Sequence, residues 1–325
     1  MKIGTYSGTD IAIAYIDGLV DPEVLQEVKK RLGQIKIDGI LESGYIEELI
    51  EDNPYSPFPQ IEHTERPDKV AGALLEGRIA IITDGTPLAL IVPVVFWGFL
   101  QASEDYYERY MFSSFARMLR VLSALIALIG PAVYIAVTTY HQEMLPTGLL
   151  LSIAAQREGV PFPAVVEAFL LEFAFEVLRE GGIRLPRPVG QAISIVGALV
   201  VGQAAVQAGL VSAAMVIVVA LTGIASFTIP AFSMGMTFRL LRFPIMIAAS
   251  VLGFYGVMLG LLVILTHMCS LRSFGVPYLS PVAPLHYQEL KDIPIRSPWW
   301  RMIRRPKLYR SQDITRQRPT RGGVK

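Results

Sequence analysis

From Pro188 to Phe238 the chain contains no Asp, Glu, Lys or Arg. Within that run, Val189–Leu210 and Val211–Phe232 are each close to the ~20 apolar residues that a helix needs to cross a bilayer. A very short turn near Gly209 would join them. Lipid offers no partner to backbone N–H and C=O groups, so two antiparallel helices fit better than strands despite the Val and Ile content. A second neutral run, Phe243–Thr266, follows directly and argues against a single buried hairpin in a soluble protein.

The rest of the composition fits a chain that is soluble first, then embedded, then a tail. Hydrophobic residues make up 52% and charged residues 18%. The net charge of +1 hides an uneven layout, with acids mostly before Glu180 and almost only bases after Arg296. One cysteine, Cys269, excludes an intramolecular disulfide or a cysteine-rich metal site, and reads as a small apolar filler beside a span. The N-terminus has no apolar leader, so the first ~115 residues are expected to remain in the cytoplasm. No phosphate-binding loop, HExxH or nucleophile elbow occurs, and His63, His141, His267 and His286 lie in unrelated segments. An enzyme, a bound cofactor, a metal and a nucleic-acid partner are therefore not expected.

The expected fold class is an α-helical integral membrane protein with an N-terminal cytoplasmic α/β domain. Residues 1–115 carry the α/β signals. Asp10–Ile16 alternates like a strand, and Asp21-Pro22-Glu23 supplies a cap, a first-turn proline and a first-turn acid for a helix to Gly33. Ile35–Ile40 reads as a short strand and Tyr45–Glu51 as a helix. Pro67-Asp68 opens another helix that Gly77 ends, and Asp84-Gly-Thr-Pro87 joins strands Arg78–Thr83 and Leu88–Val92. Residues 116–270 are the transmembrane helical domain, and 271–325 a basic, partly disordered cytoplasmic tail. Trp299-Trp300-Arg301 and the arginines after it suit an anionic leaflet.

With both termini inside, four spans are expected: Leu119–Tyr140, kinked at Gly130-Pro131, then Val189–Leu210, Val211–Phe232 and Phe243–Thr266. This leaves Arg179–Arg187 and Arg239–Arg242 in outer loops, against the positive-inside tendency.

The acidic segment 164–178 is the chemically unusual one, because Glu167, Glu172 and Glu176 interrupt a run of Val, Ala, Phe and Leu. At about 100° per residue Glu172, Glu176 and Glu180 share a stripe, and Glu167 lies away from it. An ionisable group at membrane depth costs at least ~2.5–3.5 kcal/mol, so such residues face water, a partner charge or an ion path. In a symmetric oligomer one stripe per copy becomes a ring of carboxylates that attracts cations. The alternative is an amphipathic helix lying in the interface, its acids in water or paired with Arg179 or Arg184. Gly190, Ser194, Ala198 and Gly202 form a small-residue ridge, and Gly256 and Gly260 a GxxxG pair, both suited to helix packing.

Several stretches resemble the A subunit of GerA-type spore germinant receptors: Ser56-Pro-Phe-Pro-Gln60, Thr64-Glu-Arg-Pro-Asp68, the Asp84 hairpin, Phe96-Trp97, Glu104-Asp-Tyr-Tyr107, Leu178-Arg-Glu-Gly-Gly-Ile-Arg-Leu-Pro186 and Ser270-Leu-Arg-Ser-Phe-Gly-Val-Pro-Tyr278. The resemblance runs in order along nearly the whole chain. It implies an inner-membrane protein of spores that works beside B and C subunits in nutrient-triggered germination. It also implies a homo-oligomeric, pentameric channel for monovalent cations, with Glu167, Glu172 and Glu176 in its pore. Members of that family carry an earlier soluble subdomain, and Met1-Lys-Ile-Gly-Thr-Tyr6 stands where a second one would begin.

Overall fold

The structure is a computed structural model that describes residues 1–184, 202–287 and 289–317. The chain divides into two compact units. One comprises Met1–Val121, Pro230–Met234 and Thr266–Lys325, the other Leu122–Ile229 and Gly235–Leu265.

The first unit is built on an antiparallel sheet of β1 (Lys2–Ile3), β2 (Thr9–Ala14), β3 (Glu62–Thr64), β4 (Ile79–Thr83) and β5 (Ala89–Val92), in the order β1-β2-β4-β5-β3. The hairpin around Asp84 sets the register, with Ile82 opposite Ala89 and Ile79 opposite Val92. Ile11 and Ile13 of β2 then pair with Thr83 and Ile81. Helix α1 (Pro22–Gln34) starts where Asp21 accepts a hydrogen bond from the Glu23 N–H at 2.9 Å, and buries Val24, Val28 and Leu32 at four-residue spacing. Helix α2 (Ser43–Ile50) is capped by Glu42, and α3 (Pro67–Leu74) is followed by Gly77 at φ +85°, a conformation that glycine adopts without strain. Val28, Leu32, Ile46, Ile61, Ile79, Ile81, Leu90 and Val92 are wholly inaccessible to solvent, each side chain worth about 1.5–3 kcal/mol of burial.

Ile35–Ile40 is not a strand. Its Ile37 and Asp38 carbonyls accept from the Thr5 and Tyr6 N–H groups at 2.9 and 2.8 Å, so a loop satisfies its backbone. The segment after Ser270 packs into this unit. Arg272–Ser273 (β6) and Val276–Pro277 (β7) form a hairpin whose turn residues, Phe274 and Gly275, are both left-handed, at φ 48° and 83°. Phe274 adopts this costly conformation while its N–H donates to Asp52 at 2.6 Å and Arg31 stands 4.5 Å from its ring. Tyr278 and Tyr309 are buried as well.

The remaining helices are α4 (Tyr110–Thr139), α5 (Thr147–Arg157), α6 (Ala164–Arg184), α7 (Ala213–Phe227), α8 (Phe232–Leu252) and α9 (Phe254–Ser270). Among the described residues two, α4 and α8, are long and apolar enough to cross a membrane. The expected spans need correcting at two places. Val211–Phe232 contains a shorter helix, because Ser212 caps α7 and Pro230 follows its end. Phe243–Thr266 is interrupted at Gly253, φ +61°, so α8 and α9 are separate helices. The Tyr140 hydroxyl donates to the Ser250 and Val251 carbonyls, both at 2.9 Å, and so satisfies groups exposed by the break. Val189–Leu210 lies mostly outside the described residues.

Candidate functional site

Helix α6 turns its acids toward its own chain. Val166, Leu170, Phe173 and Val177 form an exposed stripe along it, whereas Glu167 and Glu172 are fully buried. Glu167 accepts from the Ser212 N–H at 2.8 Å and lies 3.3 Å from Arg157 Nε. A carboxylate is favourable at the N-terminus of α7, where backbone N–H groups lack helical partners. Glu172 is bonded to Arg242 Nη1, and Arg242 Nε donates to the Ala127 carbonyl at 2.7 Å. Glu172 Oε1 and Arg242 Nη2 have no hydrogen-bond partner among the described residues.

Glu176 bridges two arginines, with Arg239 Nη1 at 3.0 Å and Arg179 Nη1 at 3.4 Å. Arg179 also donates to Ser226 at 2.9 Å and stands 4.8 and 4.7 Å from the rings of Phe175 and Phe227. Glu180 pairs with Arg184 in an exposed position. A Cβ built on Gly223 would lie 2.6 Å from the tip of the Phe175 ring, so a larger residue there would have to push that ring aside.

Arg239 and Arg242, expected in an outer loop, are helical instead. Both lie inside α8, where Glu176 and Glu172 match their charges. The three-residue spacing of the arginines, which puts them on one helical face, was the available signal. Arg157 and Ser212 carried none. The GxxxG glycines face the helix before them: a Cβ on Gly256 would lie 2.0 Å from the Ala248 carbonyl oxygen, and one on Gly260 3.3 Å from Ile245 Cγ1. A Cβ on Gly202 would meet Val216 at 3.6 Å, and Gly190, Ser194 and Ala198 lie outside the described residues.

In the α/β unit several stretches far apart in the sequence meet in pairs. Ser273 Oγ donates to the Gln60 carbonyl at 2.7 Å and accepts from the Val94 N–H at 3.0 Å, and the Tyr278 hydroxyl donates to the Pro59 carbonyl at 2.8 Å. Ser56 Oγ lies 2.9 Å from His267 Nε2. Likewise the Tyr107 hydroxyl donates to Asp68 at 2.8 Å, and Arg66 is bonded to Glu104. Asp105 is held by Arg117 at 3.0 Å and Arg120 at 2.8 Å. Burial raises the Asp105 carboxyl, but these two guanidinium groups outweigh it and hold it below the usual range. Among the described residues no group of three or more His, Cys, Asp or Glu side chains could hold a metal ion.

Residues 1–308 match the family model of the Bacillus/Clostridium GerA spore germination protein. The chain belongs to the GerA family. It is 61% identical over 317 residues to spore germination protein KA of Bacillus subtilis strain 168, which covers 98% of this chain and 58% of that protein. It is 58% identical over 308 residues to an uncharacterized membrane protein of the same organism, YfkQ, covering 95% and 60%. The N-terminal domain of the A subunit of the Bacillus megaterium spore germinant receptor GerK3, a crystal structure, is 58% identical over 30% of this chain and 76% of its own, with a TM-score of 0.24. The chain thus spans about three fifths of the length of the two curated relatives from B. subtilis. The pairs of stretches that meet in the α/β unit are among those that carry the resemblance to GerA proteins.

Proposed function

We propose that this chain is an A-type subunit of a nutrient-responsive germination receptor in the spore inner membrane, with its α/β unit in the cytoplasm. Several copies surround a path for monovalent cations and work beside B and C subunits. One observation carries this reading: the Glu172–Arg242 pair is buried in an apolar helical unit, with polar atoms on both partners unmet among the described residues. Insertion of each charge costs at least ~2.5–3.5 kcal/mol, and unmet buried atoms call for water or an ion. On this reading the arginines of α8 hold the acids of α6 in a closed arrangement. Release of Glu172 and Glu176 from Arg242 and Arg239 then leaves carboxylates to attract cations. Reconstituted with its B and C partners, the Glu172→Gln/Glu176→Gln receptor should still assemble and should lose cation selectivity. Unchanged flux and selectivity in an assembled receptor would overturn the conduction reading.

A second reading is a non-conducting scaffold that assembles the other receptor subunits. It is favoured by the fact that Glu167, Glu172 and Glu176 each have an arginine within their own chain. Under it, the Glu172→Gln/Glu176→Gln change leaves germination of variant spores intact wherever the receptor assembles.

A further inference from the structure

The α/β unit carries an open groove of about 860 Å³ between the first turns of α4 and residues Pro294–Arg301. Its walls are apolar. Met111, Phe115 and Met118 of α4 are 70%, 64% and 55% exposed, and Trp300 across the groove is 63% exposed. The Tyr110 and Trp300 rings meet edge to face at 5.8 Å.

The charged residues that line the groove are Lys291, Arg296 and Arg301, and no acidic side chain joins them among the described residues. Arg296 is built in rather than trailing on the surface. It is 3% exposed, its main-chain N–H donates to Ser114 at 3.1 Å, and its Nη1 donates to the Glu108 carbonyl at 3.3 Å. Its guanidinium stands 5.7 Å from the rings of both Tyr106 and Trp299. Yet Nε and Nη2 have no partner among the described residues. Both atoms are closed off from solvent, so Arg296 acts on the groove through its charge from behind the wall, where burial weakens screening.

We propose that this groove binds one anionic phospholipid, its phosphate held by Arg301 and Lys291 in the field of the buried Arg296 and an acyl chain laid along Met111, Phe115 and Met118. The inference rests on the reading that the chain lies in a membrane. Charge selects an anion, since three cations line the groove without an acid. Position selects a lipid. The apolar wall belongs to the first turns of a helix long and apolar enough to cross a bilayer, where Trp and Tyr favour the headgroup layer. A soluble phosphate would leave those exposed side chains uncovered.

The test uses the full chain reconstituted in phosphatidylcholine vesicles, with Trp97→Phe and Trp299→Phe so that Trp300 alone reports. Brominated phosphatidylglycerol should quench Trp300 more strongly than brominated phosphatidylcholine at equal mole fraction. Each basic group removed should cut that preference by about five-fold. Lys291→Gln/Arg301→Gln alters exposed residues and leaves the fold in place; Arg296→Lys should keep the preference and Arg296→Gln should lower it by that same factor. Equal quenching by the two lipids would overturn the proposal, as would its abolition by millimolar inorganic phosphate, which would assign the cations to a free anion. Failure of the protein to float with vesicles of either composition would overturn the membrane reading itself. Flotation without preference would overturn the lipid site alone.

Discussion

The two units differ in what surrounds their buried charges. In the α/β unit Ile, Val and Leu fill the space between the sheet and α1 and α2, and the ion pairs Glu62–Arg78 and Asp105–Arg117 are buried as well. In the helical unit large apolar residues such as Ile217, Ile224, Phe227 and Leu262 are exposed, while Glu167, Glu172 and Arg242 are buried. A sheet in water is held by removal of apolar surface from solvent. Helices with lipid outside gain nothing from hiding Leu from lipid, so small residues and polar bonds set their contacts. The difference is in keeping with the proposed placement of the helical unit in a bilayer.

The sharpest way to break this comparison is to unpair a buried charge. Glu172→Ala leaves Arg242 in the interior with, among the described residues, only the Ala127 carbonyl, and should destabilise the helical unit by about 3–5 kcal/mol. The joint change Glu172→Met/Arg242→Met should recover most of that loss. Thermal unfolding of the full chain in detergent, followed by circular dichroism, measures both. A single-mutant loss under about 1 kcal/mol would mean that the pair does not organise these helices.

Glycines sharpen it next. Gly256→Ala puts a methyl group 2.0 Å from the Ala248 carbonyl oxygen, a backbone atom that cannot step aside, and should cost about 1–3 kcal/mol. Gly33→Ala in α1 meets nothing within 4 Å and should stabilise the α/β unit by about 0.5–1 kcal/mol. The same exchange should therefore change sign between the units, and the unfolding midpoint of each variant reports it.

The sequence was most informative where local chemistry decides structure. Asp21-Pro22 opens α1, Pro67 opens α3, and Asp84-Gly85 sits in the β4–β5 hairpin, because caps and turns depend on neighbours within a few residues. It was least informative where partners lie far apart. Nothing in Ser56–Gln60 signals Ser273 and Tyr278, and nothing in α6 announces that Arg239 and Arg242 belong to a helix that pairs with it. Hydropathy alone also ran α8 and α9 together, since Gly253 looks like any glycine in an apolar run until its φ of +61° is seen. Glu172 and Glu176 were legible as exceptions that needed a partner; which partner was a tertiary fact.

The α/β unit offers a pH test of its own buried acids. Glu62 is pushed up by burial, but the charges of Arg78 and Lys69 outweigh this and hold it below the usual carboxylate range. It therefore stabilises the fold above the unfolded carboxylate value near pH 4.5 and loses that contribution as pH falls through its lowered folded value. Glu51 has the opposite sign. Burial raises it to about 7, against a hydrogen bond from the Gln60 N–H. The folded state then binds the proton more tightly than the unfolded chain, so stability declines as pH rises from about 4.5 to 7. Glu51→Gln should stabilise the unit by about 1 kcal/mol at pH 7.5, with little effect at pH 4.5. A stabilisation of equal size at both pH values would mean that packing, not ionisation, explains it.

Exposure, rather than the presence of an ion pair, should govern what each acid of α6 contributes, and Glu180 provides the weakest case. Its Arg184 partner sits four residues on at 2.6 Å, closer than either arginine lies to Glu176, yet the two side chains are 63% and 78% exposed. Two long side chains in solvent surrender rotamer freedom for an attraction that water and salt screen. Arg184→Ala should therefore change the unfolding free energy by less than about 0.5 kcal/mol, and by less still at 0.5 M salt. If instead its loss matched that of Glu172→Ala, Glu180 would have to meet a low-dielectric environment in the folded chain. The inward set of α6 acids would then extend a full turn beyond Glu176.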